Sequence, residues 1–310
     1  MGLAGYDPNR GQWLKTGSDK HVDRSFVAHY QIAAADAVAA GAATVLAARP
    51  LTGAVQTFDS GDVLAQPAVP RCLSITCDTA GCLGNVVITG LDSDGTAMGD
   101  TIALNGAATV AGDEAFASVT GITFPVARYQ SGGIKVTAGA SATADMTITV
   151  TAAALTGSSE VLTVGVTQGD SAEDVAAAIA AAANLNADIT GDFTFTSDGA
   201  DVIMTAKAFA AQDATYNIAF SGAGANGTGV TLGAYAGIVS GNPAGNVSIG
   251  TTDDLGLPHC LPYDTILKIV SGGVADTVAS SSFHATTLGS NYVNPTAALN
   301  ASQIDIYYLV

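Results

Sequence analysis

Residues 169–205, GDSAEDVAAAIAAAANLNADITGDFTFTSDGADVIMT, constrain the fold more than any other stretch, because hydrophobic periodicity changes within them. Asp170 can cap the free N–H groups of a first helical turn, and Glu173, three residues later, completes a capping box. Val175, Ala178, Ile179 and Ala182 recur at spacings of three and four and share one helix face. Asn184 and Asn186 end the run. Phe193 and Phe195 then alternate with Thr194 and Thr196, Asp198–Gly199 supplies a turn, and Val202–Met204 begins a return strand. One short helix followed by two strands divides the chain into three parts.

On either side of this unit the chain reads as β. Phe26 to Ile32 alternates. Leu73, Ile75 and Cys77 share a face, Val86 and Ile88 line another, and Asn105–Gly106 is a strong turn dipeptide. Short strands at roughly ten-residue spacing between turns fit a sandwich or small barrel, and 36 glycines suit the tight connections. Ala33 to Ala48 reads equally as an alanine-rich helix or as a loop and strand. The final Ile304 to Val310 is strand-forming and expected in a sheet. The expected fold is therefore mainly β. An arm (1–25) precedes a discontinuous β-sandwich or small-barrel host (26–138 and 244–310), into which an α+β domain with one short helix (139–243) is inserted.

A formal charge of −17 with only ten Lys and Arg leaves no dense basic surface, which argues against a nucleic-acid partner. No run is long and apolar enough to predict a membrane span, and the first residues lack the pattern of a secretion signal, so a soluble chain is expected. Cys72, Cys77 and Cys82 are spaced too widely for a zinc knuckle. The cysteines read as buried or half-exposed thiols, with a Cys77–Cys82 disulfide as the alternative. His21, His29, His259 and His284 show no metal-binding spacing, and His259–Cys260, being adjacent, point apart on an extended chain. Asp92-Ser93-Asp94-Gly95 lacks the later ligands of a calcium loop and reads as an Asx turn. The glycines at 222, 224, 227 and 229 lack the Lys-Ser/Thr of a phosphate loop. The expectation is a protein without a cofactor, a metal or catalytic residues.

Two stretches carry a resemblance. PRCLSITCDTAGCLGNVVITGLDSDGTAMGDTIALNGAATVAGDEAFASVTGITFPV (70–126) resembles a β domain of tailed-bacteriophage virion proteins. VSIGTTDDLGLPHCLPYDTILKIV (247–270), continuing to IDIYYLV at the end, is similar to the second half of the same domain, with Thr252 and Asp254 where the family's turn carries Gly and Lys. The middle, about 140–243, resembles a module of phage tail sheath and other virion proteins. The resemblance implies a non-enzymatic head-decoration (cement) protein on the outer capsid surface. Its partners would be the major capsid protein and further copies of itself, as a homotrimer. A tail-tube or tail-associated protein and a receptor- or glycan-binding module are the alternative readings. Arg10, Lys15, Lys20 and Arg24, the one basic cluster, together with Trp13, are expected to contact a neighbouring subunit. Tyr307 and Tyr308 are expected at the edge of a shared sheet.

Overall fold

A computed structural model describes residues 27–221, 225–261, 263–297 and 299–310, and the main chain alone at 14–16, 20–22 and 238. The chain is mainly β, as its patterning predicts, with curled sheets and only two helices. Arg71–Cys77 is buried along almost its whole length, with strands on both sides and Leu73, Ile75 and Cys77 turned into a core. It pairs with Thr109–Phe116 on one side and Asn246–Gly256 on the other, and that sheet continues through Tyr292–Pro295 to Val278–Ser282. Gly41–Pro50 also pairs with Asn246–Gly256, so the strand option for Ala33 to Ala48 holds, after a turn at 34–36. Gly250 lies so close under Gly41 that a Cβ there would strike its carbonyl.

A second sheet, in the order Gln56–Asp59, Ser118–Phe124, Asn85–Leu91 and Ala97–Ala103, faces the first. Alternation puts Val86, Ile88, Ile122 and Phe124 inside, against Leu73, Ile75, Val247 and Ile249. This is the sandwich core. Cys77 and Cys82 are joined as a disulfide within it, while Cys72 and Cys260 are free. Gly245 lies beside both bonded sulfurs, leaving no room for a side chain.

A separate cluster gathers Ile134, Val136, Met146, Ile148, Val164, Phe193, Phe195, Val202 and Met204 around the helix Ala172–Leu185. Its walls are a sheet containing Phe193–Asp198, Asp201–Phe209 and Tyr129–Ala138, and a three-stranded sheet centred on Ala144–Thr151. Ser171, one residue beyond the expected cap, is the N-cap. Its extended backbone lets its hydroxyl accept from the Asp174 N–H while Asp174 reaches back to the Ser171 N–H. Asp170 instead accepts from the Thr167 N–H, closing the preceding turn. Val175 and Ile179 are fully buried, and Ala178 and Ala182 pack at the margin. Asn186 ends this helix and caps a second, Ala187–Asp192, which the sequence pattern did not reveal.

Chain entry to and exit from this region lie side by side. Arg128 and Asn242 exchange both backbone hydrogen bonds, at 2.9 and 3.0 Å. The buried Asn242 side chain accepts from the Leu83 N–H and donates to the Leu83 and Val126 carbonyls, fastening the crossing to the sandwich.

Candidate assembly surface

The last strand, Ile304–Leu309, pairs with Val27–Ile32 on one side and Ile266–Ser271 on the other, and Val274–Asp276 completes this sheet. Its inward rows are Ile32, Ile304, Ile306, Tyr308 and Ile269, packed with Leu255, Leu257 and Val293 into a third core. Its outward rows follow from the pleat: Val27, His29 and Gln31 beside Leu309, Tyr307 and Asp305, then Lys268 and Val270. His29 stacks flat on Tyr307, with ring centroids 4.5 Å apart. His29 Nε2 lies 2.8 Å from Asp305 Oδ1, and Gln31 and Gln303 donate to the same carboxylate. Those hydrogen bonds, from Gln303 first and then His29, hold the Asp305 carboxyl below its ordinary range.

This arrangement corrects the expectation for the two tyrosines. Their strand has an intrachain neighbour on each side, so neither residue marks a sheet edge. Tyr308 is completely buried, and its hydroxyl lies 2.6 Å from His259 Nδ1, tethering the 257–260 turn; burial, then Tyr30, pushes its pKa to about 12. Tyr307 faces outward as the half-buried floor under His29. Among the described residues, the free edges of this sheet belong to Val27–Ile32 and Val274–Asp276. Val27, Leu267 and Val274 are all more than half exposed, as is Tyr263 in the preceding loop. Val278–Ser282, the outer strand of the large sheet, is exposed on both faces. Of the arm residues, Arg10, Trp13 and Arg24 lie outside the described residues. Lys15 and Lys20 fall in a short antiparallel pair, Leu14–Thr16 with Lys20–Val22.

Elsewhere the side chains serve the fold. Asp92 Oδ1 accepts from the Asp94 and Thr96 N–H groups, the geometry of an Asx turn. Burial raises the Cys260 thiol, the opposite of what activates a nucleophile. Among the described residues no three His, Cys, Asp or Glu side chains converge as a metal site would require. A groove of about 570 Å³ crosses the helix-bearing region over Gly132, Gly133 and Ile203, with Lys135 and Asp201 paired across strands at its end. Periodicity located the strands, but it gave no warning that the free edge would pass to Val27–Ile32, since strand order is decided by packing between distant segments. Compared with models of protein families, with curated proteins and with solved structures, the chain matches none.

Proposed function

We propose that this chain is a non-enzymatic decoration protein of a tailed-phage head, adding to the outer shell as a trimer and stabilising it through buried area rather than chemistry. One observation carries the reading. The two stretches that resemble the phage β domain are over a hundred residues apart, yet they form adjacent strands, with Val247 opposite Cys77, Ile249 opposite Ile75 and Thr251 opposite Leu73. Elements of one resemblance that pair in one sheet behave as one domain. The exposed edges and the apolar residues on them, Val27 and Val274 foremost, suit contact with neighbours. Apolar burial contributes about 25 cal/mol per Å², enough over an ordinary interface to exceed the ordering cost.

The test is light scattering on size-exclusion fractions, followed by addition of the protein to emptied or expanded capsids. A discrete trimer that adds to capsids in a fixed ratio supports the proposal. Hexameric rings or tubes that ignore capsids move the assignment to the tail, where a strongly acidic chain would suit a tube lumen.

A further inference from the structure

Cys77 is the buried last residue of Arg71–Cys77, and its bond to Cys82 pins the segment 78–84 to that strand. Gly81 and Gly84 in this segment have φ of 84° and 108°, conformations that glycine leaves as readily as it enters. The segment's contacts run to the crossing between the sandwich and the inserted region. Leu83 donates its N–H to the Asn242 side chain and accepts from it, while Asn242 exchanges both backbone hydrogen bonds with Arg128. A Cβ on Gly84 would strike Pro125, just before Arg128, and one on Gly81 would strike Ala211 of the inserted region. The Cys82 carbonyl accepts from the Gly106 N–H and the Gly84 carbonyl from the Leu104 N–H, so the turn after Ala97–Ala103 rests on the same segment.

We propose that the Cys77–Cys82 bond is a redox-set clasp: formed, it locks the crossing of the inserted region onto the sandwich, and open, it leaves that crossing loose. A dithiol opens it in two steps. One thiolate attacks a sulfur of the bond to give a mixed disulfide; the second thiol then displaces it, releasing the Cys77 and Cys82 thiols and a cyclic disulfide of the reagent. The freed sulfurs must move apart to van der Waals distance. Gly245 lies against both of them, so the movement is felt in the chain between Asn242 and Asn246. Because both sulfurs are fully buried, the folded protein shields the bond from thiols, and the state set as the chain folds persists.

The clasp does not depend on the decoration reading. The test compares amide hydrogen exchange in the ¹⁵N-labelled full chain in two states: oxidised, and reduced by unfolding in urea with dithiothreitol and refolding under it. In the reduced state the amides of Leu83, Leu104, Gly106, Arg128 and Asn242 should exchange about ten-fold faster or more, while those of Ile75, Ile88 and the helix Ala172–Leu185 stay within about two-fold. Refolding with oxidised glutathione should restore the slow rates. Cys77→Ala with Cys82→Ala, which leaves no bond to form, should reproduce the reduced pattern, and it decides the matter if the reduced wild type does not refold. Equal rates at the crossing in the oxidised and bond-free proteins overturn the proposal. So does acceleration spread evenly over the helix and the sandwich core, or alkylation of Cys77 and Cys82 by iodoacetamide in urea without reductant.

Discussion

Asn291, fully buried, shows how one side chain can hold two loops. Its Oδ1 accepts from the N–H groups of Leu261 and His284, and its Nδ2 donates to the carbonyls of His284 and Thr287. Asn291→Ala leaves four backbone groups, that of Leu261 fully buried, without that partner. It should lower unfolding free energy by about 2–4 kcal/mol in chemical denaturation. Asn291→Asp should be no better, because a carboxylate would face two carbonyls it cannot donate to. Asp305 offers a pH signature at the same scale. Its folded pKa is depressed, so its contribution to stability is present above the ordinary carboxylate value and lost as pH falls through the lowered one. Asp305→Asn should therefore lower stability at neutral pH and converge on wild type as pH falls through the depressed value, read from denaturant midpoints between pH 7 and pH 2.

At the scale of elements, the helix Ala172–Leu185 and the seam between Ala97–Ala103 and Thr109–Phe116 behave differently. The helix is held by its buried face, so Ile179→Ala should cost about 2–4 kcal/mol, measured by urea unfolding. The seam brings together carboxylates. Asp100 accepts from the Asp113 N–H, and Glu114 accepts from the Ser290 hydroxyl at Oε1 while its Oε2 is buried without a donor; His284 is the nearby base. Burial, reinforced by the charge of Asp113, raises both Asp100 and Glu114. A raised carboxyl binds its proton more tightly in the folded state, so stability should rise as pH falls from 7 toward the unfolded carboxylate range. Glu114→Gln should flatten that rise, checked by melting curves between pH 7 and 4. The alternation of Phe193 and Phe195 with threonines made their strand legible in the sequence, and Val175 with Ile179 fixed the helix face. The cap slipped by one residue because Ser171 and Asp174 mimic the same motif as Asp170 and Glu173. The carboxylate seam was illegible, since its two consecutive strands belong to different sheets and Ser290 reaches Glu114 from a distant segment, an arrangement only packing decides.

At the scale of the whole molecule, charge is divided unevenly. Four of the ten Lys and Arg lie in residues 1–26, leaving 24 acidic and six basic residues over 27–310, a net of −18. If the arm contacts a neighbour's acidic body, deleting residues 1–25 should weaken trimer formation and capsid addition. The intact protein should lose affinity as salt rises from 50 to 500 mM, measured by co-sedimentation with capsids. Unchanged addition by the truncated protein would discard that role for Arg10, Trp13, Lys15, Lys20 and Arg24. The paired crossing at Arg128 and Asn242 has a different consequence. Because the chain leaves and re-enters through one doorway, the intervening hundred or so residues form a cassette. They could be replaced by a short turn, or by an unrelated sequence with closely spaced ends, without rethreading any strand of the sandwich.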